Sequence, residues 1–254
     1  MRLCSEPIKR PTLELGGKSP AIVFADANLD DAIPSSVWSI YYAAGQRCEA
    51  RSCVLVEASI YDDFVARFAE ATRQLKVGDP LDAETQVGSL ISTVHRDRVN
   101  GYVEKGRGEG AEVVVGGEAG DGGGAFYQPT LLAGVETSMA VAQEEIFGPV
   151  AVAIPFEDEK DAIRIANDVQ YGLFATVWTG DPARGHRVAR AVSRGWSESI
   201  CRSPPSRASV RRLQAVGLRP RAFDRHARPL SRDEGRPLLD GREALQPLRS
   251  LATS

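Results

Sequence analysis

Short apolar runs alternate with amphipathic helical patterns up to about Gly195, and this alternation constrains the fold more than any other feature. The helical pattern is clearest where Ile60, Phe64, Phe68 and Leu75 recur on one face. Strands joined by helices form a parallel sheet that is covered on both faces. The sequence therefore predicts an α/β fold, with strands in the runs PAIVFA, CVLVE, AEVVVGG, TLLAGV, VAVAIPF and GLFATVWT.

Charge divides the chain into two parts. Residues 196–254 contain 12 Arg, no Lys and 6 acidic residues, whereas residues 1–195 contain 19 basic and 28 acidic residues. The apolar residues of the second part follow neither a strand nor a helix period. We therefore predict a domain over 1–195 and an irregular, poorly ordered tail over 196–254.

Several functional classes are excluded by composition. The net charge of −3 and the pI of 5.8 do not suit a nucleic-acid-binding protein. No apolar run reaches the length of a membrane span, and the N-terminus lacks the apolar stretch of a signal peptide. Four scattered cysteines without a CxxC pair indicate neither a disulfide scaffold nor a metal site, so we expect a reducing cytoplasm.

The first candidate motif is LELGGKSP, Leu13–Pro20. Glu14 stands among apolar residues before a Gly-Gly turn. Desolvation there would raise the pKa of the Glu14 carboxyl towards values useful to a general base. The alternative is a surface glutamate at a strand end.

The second motif is GQRCEARS, Gly45–Ser52. Cys48 follows a glycine-containing turn between a helix and a strand, where backbone N–H groups can face an anion. A thiolate at this position would be a nucleophile. The alternative is a small buried core cysteine.

The third motif is QEEIFGPV, Gln143–Val150, in which two acids precede an Ile-Phe-Gly-Pro turn at the start of a strand. Glu145 and Phe147 are its candidate functional residues. The alternative is a solvated loop acid followed by a core phenylalanine.

Together and in this order, the three motifs closely resemble the aldehyde dehydrogenase superfamily. The similarity runs almost continuously from Lys9 to Gly195 and includes the stretches FADANLDDA, VGDPLD, ETQVGSLIS, FYQPTLL and NDVQYGLFATVWT. The wording is most similar to the NAD-dependent branch that contains betaine-aldehyde-type enzymes. The resemblance implies the parallel-sheet catalytic domain of that fold and oxidation of an aldehyde to a carboxylate.

The resemblance also implies a role for each motif residue. Cys48 matches the catalytic nucleophile, which forms a thioester, and Glu14 matches the general base that activates water to hydrolyse it. Glu145 matches the glutamate that holds the nicotinamide-side ribose, Phe147 the aromatic beside the nicotinamide, and Gly16 the turn that approaches the ring. The implied cofactor is NAD or NADP, and the implied partner is a small aldehyde.

The chain departs from the family pattern in several places. Cys53 stands where the family usually has arginine, and a Cys48–Cys53 disulfide would inactivate the nucleophile. Family members are much longer than 254 residues. The family's cofactor-binding domain, its oxyanion-hole asparagine and its dimer-forming hairpin are not found in this sequence. We therefore expect impaired activity and no family-type homo-oligomer; an inactive fragment, a non-catalytic partner of a full-length relative or a residual Cys-dependent esterase are the alternatives.

The arginine-rich segment has a specific explanation. The family peptide GGYKQSGFGRE, written in GC-rich codons and read one base earlier, translates as RRLQAVGLRPR, which stands at Arg211–Arg221. We interpret residues beyond about Trp196 as the product of a frameshift. A nucleic-acid-binding arm is disfavoured because the aromatic residues of such arms are lacking.

Overall fold

The computed structural model describes residues 14–120, 124–193, 196–201 and 211–213, the last two ranges by their backbone alone. Eight strands lie in one sheet in the order β3-β4-β5-β2-β1-β6-β7-β8. They are β1 Pro20–Val23, β2 Cys53–Glu57, β3 Glu112–Val115, β4 Thr130–Ala133, β5 Val150–Phe156, β6 Phe174–Thr179, β7 Trp196–Cys201 and β8 Arg211–Leu213.

Six α-helices connect these strands within the described residues. They are α1 Leu29–Tyr41, α2 Tyr61–Arg73, α3 Thr93–Glu109, α4 Ala140–Gln143, α5 Glu159–Asn167 and α6 Pro182–Ala191. Short 3-10 turns, Tyr42–Gly45 and Ala58–Ile60, precede β2 and α2. No helix among the described residues is long and apolar enough to cross a membrane.

The centre of the sheet is parallel, as the sequence predicts, and its two edges are not. Strands β4, β5, β2, β1, β6 and β7 run parallel to one another. Strand β3 pairs antiparallel with β4, because a loop rather than a helix joins them, and β8 pairs antiparallel with β7. The α/β fold is confirmed, and its parallel sheet has antiparallel edges.

The sheet also extends past the predicted domain boundary at residue 195. Strand β7 pairs along its whole length with β6, from Phe174 opposite Trp196 to Thr179 opposite Cys201. The tail expected to be irregular thus contains strands β7 and β8. The rest of residues 196–254 lies outside the described residues.

Helices cover both faces of the sheet because the chain moves across it in two directions. The crossover through α1 leads from β1 to β2 on one side, whereas those through α5 and α6 lead to β6 and β7 on the other. Right-handed crossovers in opposite directions place their helices on opposite faces. The central strands are consequently buried throughout, with every residue of β1, β4 and the first four of β2 excluded from solvent.

Candidate functional site

The three motifs meet at the amino ends of the central parallel strands. Gly16–Ser19 leads into β1, Cys48 lies in the turn before β2, and Glu145–Pro149 leads into β5. Since parallel strands begin at the same edge of a sheet, segments distant in sequence come together there. Many open α/β sheets bind ligands at the carboxyl ends of their strands. The cleft of this chain lies at the opposite edge of the sheet, at the amino ends.

One cleft of about 460 Å³ collects all five residues that the sequence singled out. Its lining comprises Glu14, Leu15, Gly16, Gln46, Arg47, Cys48, Glu49, Glu145 and Phe147. Cys48 is half-buried and Cys53 is buried, and neither forms a disulfide in the described part of the chain. No group of His, Cys, Asp or Glu among the residues that the structure describes is arranged to hold a metal ion.

Glycines allow the backbone of the first motif to touch the other two. The Gly17 N–H donates to Oε1 of Glu145 at 3.1 Å. A Cβ on Gly16 would lie 2.3 Å from Oε2 of Glu145, and one on Gly17 would lie 2.3 Å from the carbonyl oxygen of Cys48. Any larger residue would therefore push the carboxylate or the cysteine turn away.

The exposure of Glu14 decides between the two interpretations of its carboxylate. The sequence left two interpretations open, a desolvated carboxylate or a surface glutamate at a strand end, and the Glu14 side chain is exposed at the mouth of the cleft. Burial in this segment begins only at Gly17, where the chain enters the sheet. The interpretation of Glu14 as a desolvated carboxylate is therefore wrong, and the alternative, a surface glutamate, describes its position.

Left-handed backbone conformations occur just before Cys48 and at Phe147. Ala43 and Ala44 have φ angles of 55° and 54°, Gly45 follows at 71°, and Phe147 has φ 59°. A Cβ on Gly45 would lie 2.1 Å from the carbonyl oxygen of Gly148, so the two turns pack backbone against backbone. Such conformations cost ~1–3 kcal/mol each in residues other than glycine, and they concentrate at functional sites.

Arg47 is a cleft residue that the sequence reasoning missed. Its guanidinium lies 5.5 Å from the ring centroid of Trp38 and 5.2 Å from that of Tyr42, and these two rings stack on each other. It also forms an ion pair with Glu49. Two aromatic residues one helical turn apart, shortly before a basic residue, were the available sequence signal.

Lys18 is a second missed residue, although it stands inside the first motif. It is 2% exposed, and its Nζ has no hydrogen-bond partner among the described residues. Burial lowers the pKa of Lys18 to about 8, and the nearby acidic groups of Cys53 and Glu145 partly oppose that shift. Lysine is usually exposed, so its type alone gave no sign of burial.

Comparison with known proteins identifies the family. The model of the aldehyde dehydrogenase family matches residues 1–203. The chain belongs to the aldehyde dehydrogenase family. The 5-carboxymethyl-2-hydroxymuconate semialdehyde dehydrogenase of Escherichia coli is 46% identical over 195 residues, which cover 74% of this chain and 42% of that protein. The betaine aldehyde dehydrogenase of Brucella anthropi is 43% identical over 199 residues, which cover 77% and 41% respectively.

Solved structures agree with this assignment. HpcC from Thermus thermophilus is 45% identical with a TM-score of 0.75, and the match covers 86% of this chain and 44% of that one. Betaine aldehyde dehydrogenase from Staphylococcus aureus in complex with NAD+ is 38% identical with a TM-score of 0.74, covering 77% and 40%. The predicted family and its betaine-aldehyde-type likeness are confirmed. The chain spans less than half the length of these relatives.

Proposed function

We propose that the cleft performs the covalent chemistry of an NAD(P)-dependent aldehyde dehydrogenase. The observation that carries this proposal is the convergence of Glu14, Gly16, Cys48, Glu145 and Phe147 on one cleft. The family assignment and the relatives named for semialdehydes and betaine aldehyde support an aldehyde as the substrate.

The cofactor end of the cleft fits a nicotinamide ribose. Glu145 offers a carboxylate whose Oε1 already accepts from the Gly17 N–H, and carboxylates suit paired hydroxyl donors. The exposed ring of Phe147 stands in the same cleft, and Gly16 leaves the space beside Oε2 free of a side chain. Glu145 would hold the ribose and Phe147 would pack beside the ring. The bound nicotinamide would supply the hydride acceptor.

The remaining chemistry belongs to the chain itself. The Cys48 thiolate attacks the aldehyde carbon and forms a tetrahedral adduct, for whose oxygen the Cys48 backbone N–H is a donor. Once oxidised, the acyl group remains on the Cys48 sulfur as a thioester. Glu14, exposed at the mouth of the cleft, takes a proton from water, and the water then releases the carboxylate product.

An ester assay tests the nucleophile without any cofactor. Hydrolysis of 4-nitrophenyl acetate requires only a thiolate and a base, so the wild-type chain should show it. Cys48→Ala should lower the rate to background, whereas Cys53→Ala, which removes a buried cysteine outside the cleft lining, should retain it. Equal rates in the wild type and Cys48→Ala would exclude Cys48 as the nucleophile.

NAD-linked turnover by the 254 residues alone is expected to be weak, because the resemblance places the cofactor domain in the part of the relatives that the chain does not match.

A second candidate function is a non-catalytic partner role, in which the chain pairs with a full-length relative. Large apolar side chains are exposed around the cleft, and they include Leu15 at 66%, Tyr42 at 52% and Ile91 at 83%. Exposed apolar side chains mark an interaction site where they form a contiguous patch. Size-exclusion chromatography with such a relative would show a larger complex; two unchanged peaks would count against the role.

A further inference from the structure

The segment Ser89–His95, which we call the brace, connects the two strained turns of the site. It ends in the first turn of α3, whose N-cap Ser92 accepts the N–H of His95 at 3.2 Å. Near its start, Leu90 is buried and its N–H donates to the carbonyl of Ala125 at 2.9 Å. The brace is thereby continuous with α3 at its His95 end and bonded to Ala125 through Leu90.

The start of the brace is bonded to the turn that precedes Cys48, which we call the nucleophile turn. The N–H of Ile91 donates to Oε1 of Gln46 at 2.9 Å, and Nε2 of the same side chain donates to the carbonyl of Ala43 at 3.3 Å. Gln46 thus spans from the brace to the left-handed residues that precede Cys48.

The His95 end of the brace is bonded to the turn at Phe147, which we call the cofactor turn. Nε2 of His95 lies 2.7 Å from the carbonyl oxygen of Phe147, a distance at which the ring N–H donates to it. The two rings also meet edge to face, with centroids 6.1 Å apart. Phe147 has φ 59°, and such a conformation persists only where surrounding contacts impose it.

We propose that His95 is a positioning residue that holds Phe147 in its left-handed conformation and thereby sets the cofactor end of the cleft. An open pocket of about 540 Å³ is lined by Phe147, Gln46 and the start of the brace, so the Phe147 side chain is not packed on that side. The hydrogen bond from His95 is therefore the direct restraint that the brace applies to the turn. The consequence for nicotinamide binding rests on the proposed function; the restraint itself does not.

Carbonyl NMR tests the restraint on the chain as it stands. With phenylalanine carrying 13C at the carbonyl, the eight phenylalanines give up to eight signals, and Phe147→Tyr identifies that of Phe147. His95→Ala should move this signal by more than its linewidth, because the carbonyl loses its donor. His95→Gln, whose amide can donate, should return it towards the wild-type position. His186→Ala, which removes an exposed histidine of α6, should leave it unchanged. An unmoved Phe147 signal in His95→Ala would overturn the proposal.

Protection of Cys48 tests the consequence for the cofactor. Alkylation of Cys48 by iodoacetamide is followed by peptide mass spectrometry at rising NAD+ concentrations. His95→Ala should require about five-fold more NAD+ for half-protection, as expected for one lost hydrogen bond. Its alkylation rate without NAD+ should stay within about two-fold of wild type, since Cys48 is not touched. His95→Gln should recover the wild-type protection.

The possible failures are distinguishable. If NAD+ protects no variant, including the wild type, the cofactor part of the proposed function fails for this chain, and the carbonyl signal still decides whether His95 positions Phe147. If the Phe147 signal moves while NAD+ protection is unchanged, the link from His95 to the cofactor is overturned.

Discussion

Replacing Lys18 by methionine should stabilise the folded chain, because the native ammonium is buried without a hydrogen-bond partner among the described residues. Methionine has a similar length and no charge to desolvate. Replacement of a buried charge by an apolar side chain of similar volume is often neutral or stabilising. The chain should therefore tolerate Lys18→Met, and its free energy of unfolding at pH 7 should rise.

The magnitude follows from the pKa of Lys18, which burial lowers from 10.5 to about 8. Each unit corresponds to about 1.4 kcal/mol, so the burial of the charge costs at most ~3 kcal/mol near neutral pH. The sign follows from proton binding. A lysine whose pKa is lower in the folded state destabilises that state below about pH 8, and the penalty disappears as the pH rises towards 10.5. Between pH 7 and pH 9.5 the wild type should gain ~2 kcal/mol that Lys18→Met does not.

Urea unfolding at pH 7 and pH 9.5 measures this difference. Lys105→Met is the matched control, because the side chain of Lys105 is 53% exposed. The raised pKa of Tyr41, caused by its burial, acts in the opposite direction at higher pH but is common to all variants and cancels. An advantage of Lys18→Met that stays the same at both pH values, or a less stable Lys18→Met at pH 7, would show that burial of the Lys18 charge does not destabilise the fold.

Two further predictions concern the glycine contacts and the reading frame. Gly17→Ala should destabilise the fold by ~1–3 kcal/mol, because its Cβ would meet the backbone oxygen of Cys48 at 2.3 Å; Gly101→Ala, in α3 with open space around its Cβ, should instead stabilise it slightly. Thermal unfolding of both variants would decide, and equal shifts would contradict the packing argument. Sequencing the gene should reveal, one frame away from the codons after Trp196, a peptide similar to FGGYKQSGFGRE; a gene without it would eliminate the frameshift hypothesis.

Fully buried strands were the most predictable elements. The runs CVLVE and VAVAIPF were predicted as strands, and they form β2 and β5 with the same bounds. Their continuous apolar character follows from burial on both faces of a parallel sheet. The antiparallel pairing of β3 was not predicted. The signal for it was available in the sequence, because a loop rather than a crossover helix joins β3 and β4.

Helix starts and long-range contacts were less predictable. The helical pattern that starts at Ile60 predicted α2, but Ile60 lies in the 3-10 turn Ala58–Ile60, and the helix begins only at Tyr61. The five cleft residues were identified through the family resemblance. Their proximity to one another in space depends on the order of the strands in the sheet. His95 and Lys18 escaped notice because a local pattern does not show which distant segment a side chain will meet.

Trapping the acyl group on the chain tests whether Cys48 is the nucleophile and Glu14 the base. Wild type, Glu14→Gln and Cys48→Ala are mixed with 4-nitrophenyl acetate, quenched in acid and mapped by peptide mass spectrometry. One acetyl group on Cys48 should accumulate in Glu14→Gln, because the base that releases it is lost, and none should appear at that position in Cys48→Ala. An acetyl group found mainly on another residue, or no accumulation in Glu14→Gln, would contradict the roles of Cys48 and Glu14.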